Sequence, residues 1–148
     1  MIHSERRGEV ALLTIDRTER RNALDIDTVR HLTDAVHEAH DARALVLTGA
    51  GGHFCAGADL GGVEGEHFVG ALRNLLLALT STPQPVLAAI DGAALGAGTQ
   101  LAVACDLRVA TPGCSCSPAR ADISARAPTW AAWRASTSSR PSAISFCR

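Results

Sequence analysis

The fold of this chain is decided by the stretch ALVLTGAGGHFCAGADL, residues 44–60. Its first five residues, 44–48, are an apolar run that predicts a fully buried strand. Four small residues, 49–52, end that strand and lead into the loop 53–60. The stretch VLAAIDGAALGAGTQ, residues 86–100, repeats the pattern about forty residues further along. Each stretch therefore predicts a buried strand followed by a loop of small residues.

Two such loops can aim two backbone N–H groups at a single carbonyl oxygen. A pair of donors arranged in this way is an oxyanion hole, which stabilises negative charge as it develops on that oxygen. The plainer interpretation is that the glycines only make turns between strands. Two loops of the same kind, set within one pattern of strands and helices, favour the oxyanion hole.

The segments around these loops alternate between strands and helices. Apolar runs at 10–16 and 107–110 predict further strands. Three helices are predicted, at about 25–40, 66–80 and 98–105. Asp25 or Asp27 can cap the first of them, because a carboxylate there accepts hydrogen bonds from free N–H groups. This order predicts an α/β fold built from repeated β/α crossover units.

The composition changes abruptly after Pro112. Residues 113–148 contain no Leu, Val or Glu, and they carry five arginines against a single acid, Asp122. Residues 1–112 carry nine arginines against fourteen acids. We therefore predict a folded segment over 1–112 and a low-complexity Ala/Ser/Arg tail over 113–148. The tail is expected to be disordered, or to be the out-of-frame translation of a GC-rich gene.

Several functional classes are not supported by the sequence. The arginines of the tail are dispersed, so no nucleic-acid partner is expected. No run of eighteen apolar residues predicts a membrane span, and residues 1–5 lack the apolar segment of a signal peptide, so a cytoplasmic location is expected. The five cysteines favour buried free thiols over disulfides, and their spacing predicts no metal site.

The glycines at 49–52 do not match a nucleotide-binding loop. A dinucleotide-binding fingerprint needs a third glycine where this chain has Phe54, with a helix opening at once. A phosphate-binding P-loop needs a lysine, and the chain contains none. Nucleotide binding of either type is therefore not expected.

Four motifs in order along the chain resemble the enoyl-CoA hydratase/isomerase (crotonase) superfamily. They are RNAL at 21–24, FCAGADL at 54–60, GAALGAGTQLA at 92–102 and CDLR at 105–108. The resemblance covers residues 1 to about 112, which is the N-terminal part of a family member. It implies a crotonase-like fold and a protein of fatty-acid metabolism that binds acyl-CoA. Coenzyme A is then part of the substrate, and no separate cofactor is expected.

The resemblance also implies roles for particular residues. The backbone N–H groups of Ala58 and Ala97 would hold the thioester oxygen, with Ala97 near the start of a helix, where the helix dipole favours an anion. Other residues would line the path of the coenzyme A moiety: Arg21, Ala23, Ala56, Asp59, Leu60 and Gly61. Family members form trimers or hexamers through C-terminal helices, so this chain is expected not to assemble normally.

Catalysis is where the resemblance is incomplete. Family hydratases add water to a 2-enoyl-CoA with two glutamates, and Gln100 stands where the first is expected. An amide can orient water but cannot act as a base near neutral pH. The second glutamate is expected downstream, in a tail that contains no Glu. Three functions stay open: an enoyl-CoA hydratase or isomerase, a non-catalytic acyl-CoA binder or shuttle, and an inactive fragment of a frame-disrupted gene.

Overall fold

A computed structural model describes residues 1–59, 61, 65–112, 114–116 and 145–147. The strands among them are β1 (Ile2–Arg7), β2 (Val10–Ile15), β3 (Ala44–Gly49), β4 (Val86–Ile90), β5 (Ala93–Ala94), β6 (Leu107–Ala110), β7 (Ser115–Cys116) and β8 (Ser145–Cys147). The α-helices are α1 (Ile26–Glu38), α2 (Gly65–Ser81) and α3 (Ala97–Ala104). Two short 3-10 helices, Thr18–Arg20 and Ala39–Asp41, stand on either side of α1.

The main sheet has six strands in the order β1-β2-β3-β4-β6-β8. Strands β2, β3, β4 and β6 are parallel neighbours, and the helices α1, α2 and α3 connect them in turn. Strands β1 and β8 pair antiparallel at the two ends of this series. The predicted α/β fold with repeated crossovers is confirmed. Because β2, β3, β4 and β6 are parallel, the loops that follow them in sequence lie at the same edge of the sheet.

Helix α1 forms where the sequence supplies both an apolar face and a start signal. Helix α1 begins after Asp25, whose carboxylate accepts a hydrogen bond from the backbone N–H of Thr28 at 2.7 Å. The buried side chains of α1 recur at helical spacing and join one core with alternate residues of the strands. Leu13, Leu45 and Leu47 lie at the centre of that core, each exposed by 1%.

The prediction that residues 44–48 form a fully buried strand is wrong in one respect. Buried and half-buried residues alternate along β3, and the same alternation holds along β4. One face of each strand is therefore sealed by the core, while the other is only partly covered. The apolar run resembles a strand buried on both faces because Ala and Val occupy the half-buried positions too.

Strand β1 was not predicted, because its sequence IHSERR has no apolar alternation. It forms because all six of its residues pair with β2 across the turn at Gly8. The predicted disorder of the tail lies largely outside the described residues, although 115–116 and 145–147 are short strands. Cys55 and Cys105 are buried free thiols as predicted, whereas Cys114 is disulfide-bonded, which corrects the expectation of free thiols throughout.

Candidate functional site

The two loops of small residues meet beyond the ends of β3 and β4. Cys55 and Ala94 form a parallel bridge. The N–H of Cys55 donates to the carbonyl of Ala93 at 3.0 Å, and the N–H of Leu95 donates to the carbonyl of Cys55 at 3.0 Å. The predicted juxtaposition of the loops is therefore present as direct backbone hydrogen bonding.

A second bridge joins the first loop to the segment before α1. Leu24 donates its N–H to the carbonyl of Gly57 at 2.7 Å and accepts at its own carbonyl from the N–H of Asp59 at 2.8 Å. The N–H of Ala56 donates to the carbonyl of Arg21 at 3.0 Å. Ala58 lies between Gly57 and Asp59, so their two hydrogen bonds with Leu24 hold it from both sides.

The N–H groups of Ala58 and Ala97 remain available. Because a peptide unit is planar and trans, the bond from Leu24 to the Gly57 carbonyl turns the N–H of Ala58 the opposite way. Ala97 is the first residue of α3, where N–H groups have no partner inside the helix. Neither N–H donates a hydrogen bond within the part of the chain that the structure describes.

Glycines allow the two loops to come this close. Gly57 has φ of +103°, and a Cβ built on it would lie 2.9 Å from the carbonyl oxygen of Leu95 and 3.7 Å from the nitrogen of Ala97. A Cβ on Gly98 would lie 2.4 Å from the carbonyl oxygen of Cys55. A larger residue at either position would separate the loops and with them the two free N–H groups.

Asn22 supports the first loop of the site through hydrogen bonds of its side chain. Asn22 is completely buried, and its backbone lies in the left-handed region, with φ of +59°. The side-chain amide donates to the carbonyls of Ala50 at 2.9 Å and His53 at 2.6 Å, and its oxygen accepts from the N–H of Arg17 at 2.9 Å. One side chain therefore ties the end of β2 to the start of the first loop.

Arg17 forms ion pairs with two carboxylates of the site. Its side chain is exposed by 16%, and its Nη2 lies 3.0 Å from Asp25 Oδ2 and 3.2 Å from Asp59 Oδ2. Its Nη1 donates to the carbonyl of Ala23 at 2.5 Å. Burial raises the pKa of Asp25, but the hydrogen bonds from Thr28 and the charge of Arg17 outweigh it, so that this pKa is lowered.

The match to known families follows this geometry. The sequence model described as enoyl-CoA hydratase/isomerase matches residues 5–137, which is most of the chain. The chain belongs to the enoyl-CoA hydratase/isomerase family. This match runs beyond Pro112, the position where the composition changes.

Curated relatives within the enoyl-CoA hydratase/isomerase family match about two thirds of this chain. A Mycobacterium tuberculosis protein named "Probable enoyl-CoA hydratase echA6" is 51% identical over 107 residues, which are 69% of this chain and 44% of that protein. A Rhodobacter capsulatus protein named "Probable enoyl-CoA hydratase" is 48% identical over 68% of this chain and 42% of its own length. The chain thus spans less than half the length of these curated relatives.

Solved structures of the family share the fold. The crystal structure of an enoyl-CoA hydratase from Bacillus anthracis superposes with a TM-score of 0.73 at 34% identity. The superposition covers 76% of this chain and 48% of that chain. A structure described as that of Pseudomonas aeruginosa PA4980 gives a TM-score of 0.72, also at 34% identity, over 76% of this chain and 53% of that one.

The residues that the family resemblance predicts for the site are distributed around the two loops. Arg21 is exposed and left-handed, with φ of +50°. Ala23, Ala56 and Ala58 are half-buried, Ala97 is buried, and Gly61 is exposed. Gln100 is exposed on the first turn of α3, three residues beyond Ala97. Leu60 lies outside the described residues.

Asn22 and Arg17 were missed as site residues by sequence reasoning. Asn22 lies inside the RNAL motif, so the motif itself was an available signal. For Arg17 no local signal exists, because one of its partners, Asp59, lies 42 residues away.

Among the described residues no helix is long and apolar enough to cross a membrane. The described residues also hold no group of three or more His, Cys, Asp or Glu side chains suited to a metal ion.

Proposed function

We propose that this chain binds an acyl-CoA with the thioester oxygen between the N–H groups of Ala58 and Ala97. The observation that carries the proposal is a pair of N–H groups that have no acceptor among the described residues and lie on two loops that hydrogen-bond to each other. Family membership supports the ligand class. A carbonyl oxygen accepts two hydrogen bonds, so one thioester oxygen satisfies both donors.

The site is suited to a carbonyl that gains negative charge. Hydrogen-bond donors that are fixed in advance stabilise developing charge without reorganising, and this gain is largest where water is excluded. Ala97 also begins α3, so the positive end of the helix dipole reinforces its N–H. Acyl-CoA thioesters form such an oxyanion when the carbon next to the carbonyl loses a proton.

The coenzyme A moiety is proposed to follow the predicted path past Arg21, Ala23 and Ala56 towards Asp59, Leu60 and Gly61. The exposed guanidinium of Arg21 suits a phosphate group. The small side chains of Ala23 and Ala56 leave the backbone accessible to a thin pantetheine chain. Coenzyme A enters this proposal only as part of the ligand.

Binding without efficient hydration is the form of this function that Gln100 favours. The amide of Gln100 is exposed and follows Ala97 by one helical turn, where it can orient a water molecule but cannot take its proton. The carboxylate of Asp59 is already paired with Arg17 at 3.2 Å. Hydratase activity, for which the relatives are named, is the second candidate, because the chain belongs to their family.

A titration with two matched ligands tests the proposal. Butyryl-CoA carries the thioester oxygen, whereas S-butyl-CoA, a thioether, has the same chain without it. One or two hydrogen bonds to a neutral carbonyl predict a preference of roughly 3- to 10-fold for the thioester. Equal affinities, or no binding by folded protein, would contradict the proposed site, and the latter would indicate an inactive fragment.

The variant Ala97→Pro removes one N–H while keeping the helix. Proline is well tolerated at the first position of a helix, where its missing N–H has no intrahelical partner. We expect Ala97→Pro to lose part of the preference for the thioester, and the control Ala97→Ser, which keeps the N–H, to retain it. A parallel assay with a 2-enoyl-CoA measures hydration; rapid turnover would favour the hydratase over the binder.

A further inference from the structure

We propose that Arg17 is a positioning residue that strengthens the N–H of Ala58 as a donor, through a relay of two peptide units. This inference rests on the proposed oxyanion hole. The relay begins where Arg17 Nη1 donates to the carbonyl of Ala23 at 2.5 Å. That carbonyl belongs to the same peptide unit as the N–H of Leu24.

The second link leads directly to the proposed hole. The N–H of Leu24 donates to the carbonyl of Gly57 at 2.7 Å, and that carbonyl shares its peptide unit with the N–H of Ala58. Each unit is planar and trans, so its carbonyl and its N–H point in opposite directions. The guanidinium, the two peptides and the N–H of Ala58 thus form one hydrogen-bonded series.

A cation at one end of such a series makes the donor at the other end stronger. Each hydrogen bond in a chain polarises the next, and the effect is larger in a poorly solvated site. Arg17 is well placed for this, because its side chain is exposed by 16% and its charge is permanent. The relay also fixes the plane of the Gly57–Ala58 peptide, which glycine, with no Cβ, would otherwise allow to turn more freely.

The two carboxylates beside Arg17 hold the guanidinium in place. Nη2 contacts Asp25 at 3.0 Å and Asp59 at 3.2 Å, leaving Nη1 directed at the Ala23 carbonyl. The planar fork of arginine serves all three acceptors at once, which a lysine ammonium on a flexible stem does not reproduce. Asp59 follows Ala58 directly, so Arg17 also offsets part of the charge of a carboxylate that would repel an oxyanion.

The test uses acetoacetyl-CoA, a 3-ketoacyl thioester, with the full chain at one fixed pH. When this ligand loses its C2 proton to the buffer, the resulting enolate has a distinct ultraviolet absorbance. The oxyanion hole raises the enolate fraction of the bound ligand. For Arg17→Met we expect the enolate-to-keto ratio to fall roughly 2- to 5-fold, because the N–H of Ala58 remains and loses only the strengthening that the relay supplies. The affinity for the thioether S-butyl-CoA is expected to stay unchanged.

Three further variants make the test specific. Arg17→Lys keeps the charge without the fork; we expect an intermediate enolate fraction, and this variant replaces Arg17→Met if that one does not fold. Arg30→Met makes the same chemical change on the exposed surface of α1 and is expected to leave the fraction unchanged. Arg17→Met with Asp59→Asn removes both charges; the relay predicts that the fraction stays low.

The outcomes separate the two proposals. Absence of any enolate signal and of any preference for the thioester in the unaltered chain would overturn both the proposed function and the relay. A normal signal in the unaltered chain that persists in Arg17→Met would overturn the relay alone. Recovery of the enolate in the double variant would also overturn it, since Arg17 would then act only by neutralising Asp59. Equal losses of thioester and thioether binding would show a general structural role instead.

Discussion

Replacing Gly98 by alanine adds one methyl group at the point where the two loops touch. Gly98 is buried in the first turn of α3, and a Cβ there would lie 2.4 Å from the carbonyl oxygen of Cys55 and 2.8 Å from its Cβ. An unstrained carbon–oxygen contact is about 3.3 Å or longer. The loops must therefore separate by roughly 0.9 Å, and the atoms in the way are backbone atoms that cannot rotate aside.

The cost follows from three effects. Overpacking by one methyl group costs about 1–3 kcal/mol. The bond from the N–H of Leu95 to the Cys55 carbonyl, 3.0 Å long, would weaken, and its loss costs about 1 kcal/mol. Alanine gains about 1 kcal/mol over glycine inside a helix, which offsets the lost bond. We expect Gly98→Ala to lower the free energy of unfolding by about 1–3 kcal/mol.

The same displacement moves Ala97 relative to Ala58. A shift of about 1 Å in a positioned group can cost about 100-fold in rate, so the preference for thioester over thioether should largely disappear. Urea unfolding gives the stability and the two-ligand titration gives the preference. The matched control is Gly70→Ala on α2, where a Cβ would meet nothing within 4 Å. We expect that control to gain about 0.5–1 kcal/mol and to bind normally. Equal stabilisation by both substitutions would refute the reasoning.

Two further predictions concern ionisation. Burial raises the pKa of Cys55 to about 11 and that of Cys105 to about 12. Alkylation of both thiols at pH 8, measured by mass spectrometry, should therefore be at least about 100-fold slower in the folded chain than in urea. Equal rates would contradict the burial of the two thiols. The pKa of Asp25 is lowered on folding, so its contribution to stability is present above about pH 4 and is lost as the pH falls through its folded value. Urea unfolding from pH 7 to pH 2 should therefore show that Asp25→Asn is less stable than the unaltered chain at neutral pH and equally stable in acid. The exposed control Asp27→Asn should show a much smaller difference. If the stability of Asp25→Asn stayed below that of the unaltered chain by the same amount at every pH, the lowered pKa of Asp25 would be contradicted.

The predicted parts of the fold are those that local pattern encodes. The bounds of β6 agree with the predicted run 107–110, and β4 begins where the predicted stretch 86–100 begins, because each is a short apolar run between turn residues. Helix α1 begins after Asp25, one of the two predicted caps, because a carboxylate before an amphipathic segment caps it locally. Strand β1 could not be predicted from its polar residues, since its pairing with β2 alone places it in the sheet.

The candidate site likewise has a part that the sequence predicts and a part that it does not. The small residues predicted the two loops because they are visible along the chain, and the family resemblance of the motifs then pointed to Ala58 and Ala97. The burial of Asn22 and the contacts of Arg17 were not visible. Their partners include Ala50, His53 and Asp59, which lie 28 to 42 residues away in sequence.

The sequence by itself determined the family, through the resemblance of its four motifs. It also determined the α/β architecture and the two loops, since hydrophobic periodicity and glycine-rich turns act over a few residues at a time. Only the tertiary structure decided which polar groups support the loops. A buried amide or guanidinium must find partners wherever the fold delivers them, and the cost of leaving it unpaired selects contacts without regard to sequence distance. For that reason the loop that carries Ala58 is visible in its motif, while the contact of Arg17 with that loop forms only when the strands have come together.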